Sequence, residues 1–400
     1  MARRLALILP SSTYRARDFV RAARAVDAEM VIATEEEQLL VDEAHLVRID
    51  LSRPEWSAQQ IVAKGPFDAV IPVDDGGVMI GAVAAAALDL PHSTPDAVAA
   101  TRDKAAMRDL FAAADVPQPD YRIVGGADDA TEAAAAIGFP VVIKPVSLSA
   151  SQGVIRVDAP ADVESVVNRV QRIAGAMGRD STLVVEKFIP GPEVALEAML
   201  ADGELVPLAI LDKPSPLDGP YFEETMFITP SLHATETQDS IVSVVAAATE
   251  ALGLREGPVH AEVRLGPDGV RILELAARPI GGLCSRALEF GMLGASLETV
   301  LVRHALRLPQ GGLDAAAPAS GVMMIPIPSA GRLAAMVGVE EARGVAGITG
   351  VEITVPLGER LRPLPEGNRY LGFIFARALD PAAVEAALQQ AHGVLRIEII

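Results

Sequence analysis

The chain has 400 residues, half of them hydrophobic, with a formal net charge of −19 and one cysteine. Such a length supports a large core divided among about two to four domains, and the acidic balance disfavours polyphosphate backbones, so no nucleic-acid role is expected. The lone Cys284 excludes an intrachain disulfide, which suits a reducing cytoplasm.

The first residues place Arg3 and Arg4 before an apolar run of about six residues that ends at Pro10, short for a signal-peptide core. Residues 5–9 are therefore read as a buried strand. The longest uncharged stretch, residues 76–88, falls short of the ~20 residues of a membrane span. A helix over 16–27, strands over 30–33, 47–49 and 69–73, the turn Asp74-Asp75-Gly76-Gly77 and an alanine-rich helix over 82–88 follow. Strands alternating with helices predict a Rossmann-like α/β domain with a parallel sheet over residues 1–100. No GxGxxG follows the first strand, so a dinucleotide site is not expected there.

A second unit, 101–185, reads as a helix over 103–114 broken by Val116-Pro117-Gln118-Pro119, then strands over 121–124, 141–143, 154–157 and 183–185, with helices over 131–137 and 162–177. A third unit, 186–310, ends in strands over 259–265 and 270–275, whose Gly266-Pro267-Asp268-Gly269 connection marks a hairpin. A closing α+β unit, 311–400, alternates short strands and turns before a helix over 381–390.

The late hairpin carries the strongest chemical signal. His260 and Glu262 are two residues apart and share a face. Glu274 comes from the neighbouring strand, followed by Ala276, Arg278, Gly281 and Gly282. Two carboxylates facing one space suit Mg²⁺, an arginine beyond them suits a phosphate or carboxylate, and two glycines free their N–H groups for an anion. The plainer reading is a cross-strand ion pair of Glu262 with Arg278. In the segment 141–154, Lys144 leaves a buried strand for a loop of small residues, including Ser149, Ser151 and Gly153, suited to phosphates. The alternative is a hairpin with a surface lysine. In the segment 183–194, Glu186, Lys187, Ile189 and Glu193 flank a Pro-Gly-Pro turn, where backbone groups suit an adenine edge and a carboxylate a ribose; the alternative is a charged hinge. Lys104 alone reads as a surface lysine. Glu223, Glu224, His233 and His260 remain open as bases. Cys284 reads as a buried small hydrophobe, and His45, His92, His304 and His392 as structural.

Taken in order, Lys104, Lys144 with its loop, Glu186 to Glu193, then Glu262, Glu274 and Arg278 resemble the ATP-grasp superfamily over nearly the whole chain. The pattern His260-x-Glu262 … Glu274-x-Ala276-Ala277-Arg278 looks most like the L-amino-acid ligases that make dipeptides. Ala276 departs from the asparagine common at that position. The resemblance implies an ATP-grasp fold: an α/β pre-ATP-grasp domain, two lobes around the nucleotide, and a late antiparallel sheet. It implies ATP contacts from Lys104, Lys144, Ser149, Ser151, Gly153, Glu186, Lys187, Ile189 and Glu193, and Mg²⁺ held by Glu262 and Glu274. Arg278 would steer the carboxylate, and Gly281 and Gly282 would stabilise the oxyanion. The implied reaction is cytoplasmic ligation of a small carboxylate to an amine through an acyl phosphate, with a homodimer possible and no membrane partner. A ligase of non-amino-acid carboxylates, a nucleotide-binding module without turnover and a biotin-dependent carboxylase subunit are the rival readings. Gly282 is expected to leave room for a large acyl donor.

Overall fold

The computed structural model describes residues 3–11, 13–35 and 45–400. Near the N-terminus, strands Arg4–Ile8, Glu29–Thr34, Leu46–Arg48 and Ala69–Pro72 form a parallel sheet in which Arg4–Ile8 lies between Glu29–Thr34 and Ala69–Pro72. Leu5, Leu7, Ala6 and Ile8 are all fully buried, two on each face. This covering of both faces explains a continuous apolar run rather than an alternating one.

The central lobe is a four-stranded antiparallel sheet, with Leu183–Lys187 between Tyr121–Val124 and Val141–Pro145, and Ile155–Val157 at one edge. Helices Ala127–Ile137 and Val163–Ala176 cover it, burying Ala130 and Ala134 from one and Val163, Val167 and Val170 from the other. The spacing of those valines, at steps of four and three, makes a helical apolar stripe.

An eight-stranded sheet dominates the rest. Its order runs from the hairpin strands Gly269–Ala276 and Gly257–Gly266 through Glu193–Ala201, Glu204–Asp212 and Met226–Thr229 to Ala319–Ile325, Gly372–Ala378 and Ile348–Ile353. The sheet therefore runs through the boundary expected near residue 311. Two of its longest strands, Glu193–Ala201 and Glu204–Asp212, and the helix Thr235–Ala251 are absent from the sequence reading. The segment EVALEAMLA is rich in helix formers, yet its first eight residues are buried in the middle of the sheet. Tertiary packing here overrides local propensity. Among the described residues, no helix is long and apolar enough to cross a membrane.

Candidate functional site

The central sheet and the hairpin face one another across a cavity of about 940 Å³ measured out to bulk solvent, lined by Lys104, Lys144, Glu186, Glu193, Glu262 and Glu274 among others. Local structure sets each group. Asp103 accepts from the N–H groups of Ala105 and Ala106 and so caps helix Lys104–Ala113, with Lys104 as its first residue. The Lys104 N–H donates to Val146 (2.8 Å) and its ammonium to the Leu148 carbonyl (2.6 Å), tying it to the small-residue loop. The same ammonium lies 3.2 Å from Glu274.

Lys144 is the penultimate residue of strand Val141–Pro145, with a buried side chain. Its partner is Glu186 at 2.8 Å, which also accepts from Arg108 at 2.7 Å. Burial alone would raise the Glu186 carboxyl; Arg108 and Lys144 reverse this and hold it at about 2. Burial draws Lys144 below its ordinary value despite Glu186. The Glu186 carboxylate thus holds two cations at the wall of the cavity that it lines. Lys187 donates to the carbonyls of Gly138 (2.8 Å) and Phe139 (3.1 Å) while lining the cavity with Ile189.

Glu262 and Glu274 stand opposite one another in the hairpin, where the register shifts just after Glu262. Such an irregularity re-aims a side chain. Glu262 does not pair with Arg278, which instead meets Asp75 of the N-terminal turn at 2.9 Å. Burial would raise Asp75, but Arg278 holds it low. The cross-strand ion pair is thereby excluded in this structure. One oxygen each of Glu193, Glu224 and Glu262 lies within 4.8 Å of the others. The buried ammonium of Lys213 sits among them, 2.7 Å from Glu193, 3.6 Å from Glu262 and in a short contact with Glu224. Burial would lower the Lys213 ammonium, yet Glu193, Glu224 and Glu262 push it well above its usual value. Glu224 moves the other way from Glu262: burial and the Glu262 charge raise it to about 7, whereas Lys213 and His260 hold Glu262 well below the carboxylate range. Glu193 also accepts from Arg264 at 3.0 Å, so its carboxylate faces two cations.

His260 lies opposite Glu197 across the strands and bonds it through Nδ1, with Nε2 3.2 Å from Glu262. Burial would lower the imidazole, but Glu197 and Glu262 raise it to about 9. An imidazolium at neutral pH orients Glu262 and cannot take a proton. Glu197 also accepts from the Ile280 N–H at 3.0 Å, anchoring the chain just after Arg278.

Ser149 and Ser151 line the cavity, with Ala150 and Ser151 in left-handed conformations (φ 56° and 55°). Gly153 lies outside the lining, its N–H donating to the Pro365 carbonyl at 3.0 Å. Gln152 donates to the Glu366 carbonyl (2.8 Å), and Arg169 holds the Glu366 carboxylate through two bonds. Gly281 and Gly282 also lie outside the lining. A Cβ on Gly282 would meet the Phe373 ring at 2.7 Å, so the room expected there is filled by Phe373; a Cβ on Gly281 would meet nothing within 4 Å. Of the other open bases, His233 lies 3.9 Å from Asp212, away from the cavity, and burial raises Glu223. Cys284 is buried, which pushes its thiol up.

Sequence reasoning missed Arg108, Glu197, Lys213 and Asp75. One signal was present: Lys213-Pro214 repeats the Lys144-Pro145 pair, a lysine and proline at the end of an apolar strand.

Two family models match: an ATP-grasp domain over residues 137–287 and an L-amino acid ligase C-terminal domain 2 over residues 323–399. Alanine–anticapsin ligase of Bacillus subtilis (strain 168) is 32% identical over 182 residues, 41% of this chain and 38% of that protein. The chain thus aligns with well under two thirds of that relative's length. D-alanine–D-alanine ligase of Desulforudis audaxviator is 30% identical over 252 residues, 60% of this chain and 78% of that protein. In fold, the chain matches the crystal structure of L-amino acid ligase from Bacillus licheniformis with a TM-score of 0.84, at 24% identity, over 100% of this chain and 99% of that one. On these grounds the chain belongs to the ATP-grasp ligases.

Proposed function

We propose that the chain is an ATP-dependent carboxylate–amine ligase that joins a small carboxylate, an amino acid in the favoured case, to an amine through an acyl phosphate. The observation that carries this reading is the meeting of Lys104 and Lys144 with Glu193, Glu224, Glu262, Glu274 and Arg278 around one cavity. Cations on one wall suit a triphosphate, and hard oxygens on the other suit a divalent cation. The donor set fits magnesium: Glu262 and Glu274 are cross-strand neighbours, and both line the cavity. Glu262 and Glu274 would hold the ion, whose chemistry is to neutralise phosphate charge during transfer.

The remaining roles fall to the chain. Lys104, Lys144, Ser149 and Ser151 bind phosphates, and Glu186 acts through Lys144 by fixing its position. The backbone from Lys187 to Ile189 reads the adenine edge. Arg278, aimed by Asp75, orients the carboxylate for in-line attack on the γ-phosphorus, with ADP leaving. Gly281, with open space where a side chain would stand, offers its N–H to the oxyanion when the amine attacks. Glu224, the raised carboxyl, is the favoured proton acceptor for the amine, since a base works best with a pKa near the working pH. The 147–153 loop excludes water from the acyl phosphate.

Phosphate release is the decisive assay, run with pairs of amino acids, ATP and Mg²⁺, with mass measurement of the product. Phosphate release with amide formation is expected. Turnover only with non-amino-acid carboxylates would move the assignment to the rival ligase. Nucleotide binding without turnover for any pair would leave a binding module.

A further inference from the structure

A second cavity, of about 910 Å³ measured out to bulk solvent, lies between the N-terminal sheet and the third unit. One wall is strand Ala69–Pro72, the edge of the parallel sheet. The Asp68 N–H donates to the Arg4 carbonyl at 2.8 Å, so the alternation of a parallel ladder turns Asp68 and Val70 toward the first strand and Ala69 and Ile71 outward. Ala69 and Ile71 are only 4% and 7% exposed. Among the described residues no strand pairs with this edge, and no side chain or loop bonds its outward groups. Buried backbone groups rarely stay unpaired, so the cavity presents donors and acceptors that call for a partner.

The facing walls are apolar, with Val78, Ala82 and Ala85 on one helix and Leu301 and Ala305 on another. Rim charges are matched: Glu256 accepts from Arg307 at 2.7 Å, and Asp68 from Arg3 at 2.9 Å. An occupant with a net charge would find no free counter-charge in these groups. An occupant with apolar groups and an N–H and C=O along one edge would complete the strand.

We propose that this cavity is a second binding site, for a small neutral peptide-like amide: an amino acid blocked at both ends, with an apolar side chain, pairing with the edge at Ala69 or Ile71. The site adjoins the catalytic cleft. Ala277 and Pro279 line it, while Arg278 between them lines the other cavity and pairs with Asp75. Helix Val78–Ala87, which forms the apolar wall, begins just after the turn that carries Asp75. Occupancy therefore bears on both members of the Arg278–Asp75 pair and alters how the carboxylate is held. This coupling rests on the ligase reading; the binding does not.

Titration calorimetry of the full chain with N-acetyl-L-leucinamide tests the site. One-site binding with a negative heat-capacity change is expected, unchanged when a non-hydrolysable ATP analogue is saturating. Ala305→Phe and Ala85→Phe, which fill the cavity from opposite walls, should each weaken it at least about tenfold. The ester analogue that lacks the second N–H should bind more weakly. Circular dichroism identifies the variants that fold. Absence of binding to wild type, displacement by the nucleotide analogue, or wild-type affinity in both folded variants overturns the proposal. A failed phosphate-release screen beside positive calorimetry would sink the ligase reading and the coupling alone, leaving the site.

Discussion

Glu262 and Glu274 are cross-strand neighbours, yet their carboxylates answer to different lysines: Glu262 to Lys213 at 3.6 Å and Glu274 to Lys104 at 3.2 Å. The two adjacent side chains thereby have separate basic partners. Both should be needed for turnover. Glu262→Gln and Glu274→Gln are each expected to lower ADP formation about a hundredfold or more, since a metal-held phosphate is worth several kcal/mol in the transition state. A coupled ADP assay with thermal melts as a folding control checks this, and near wild-type rates in either variant would remove that residue from the site.

Lys213 sits among three carboxyl groups in a buried place. Lys213→Met leaves them without their shared counter-charge, at a cost of about 3–5 kcal/mol by the usual penalty for breaking a buried ionic cluster. Added Mg²⁺ or Mn²⁺ should restore more stability to the variant than to the wild type, because the ion can replace the ammonium. Denaturant midpoints with and without the cation decide it; equal shifts in both proteins would contradict it.

Glu186 gives the chain an acid-sensitive element. Its folded value, about 2, lies below that of the unfolded chain, 4.5. The stabilisation is therefore complete above the unfolded value and fades as the pH falls from there through about 2. Glu186→Gln should flatten this part of the stability profile. Unfolding titrations between pH 2 and 6, a window of roughly the two values and a margin, would show parallel curves if Glu186 plays no such part.

Asp75 meets Arg278 from the N-terminal turn. Asp75→Asn keeps the shape but weakens the ion pair, so KM for the carboxylate should rise with KM for ATP little changed. Arg278→Lys should do worse, because lysine cannot make the planar two-point contact. Equal rises in both KM values would show that the pair serves general stability rather than carboxylate binding.

Arg169 and Glu366 are each more than a third exposed along the side chain, so their pair contributes at most about 1 kcal/mol to global stability. Its effect should be local. Arg169→Ala should leave the melting temperature nearly unchanged while residues 147–153 become easier to cleave, as limited proteolysis with mass mapping would reveal. An unchanged cleavage rate would mean that the Gly153 and Gln152 bonds suffice.

The parts of this molecule that announced themselves in sequence are those whose pattern is local. The hairpin, with its Asp268-Gly269 turn, and the apolar runs around Leu5 and Val141 could be placed because turn chemistry and burial act over a few residues. Lys144, Glu262 and Glu274 were recognisable by their order along the chain. The hidden groups owe their roles to distant partners. Glu197 looks like a helical surface residue in EVALEAMLA, and only the strand carrying His260 makes it a buried hydrogen-bond partner. Arg108 lies in an ordinary amphipathic helix until Glu186 and the Leu273 carbonyl arrive from elsewhere. Glu186 and Glu193 illustrate the same limit: sequence shows a carboxylate beside a cleft, but not the cations that hold it there.

The eight-stranded sheet has a consequence for anyone who would trim the protein. Met226–Thr229 is buried at every residue and pairs on one side with Ala319–Ile325. Cutting the chain before residue 319 would uncover that strand as a flat, greasy ledge of open amides. Such a ledge recruits another copy of itself, so the shortened product should precipitate or swap segments between molecules rather than survive as an independent catalytic fragment.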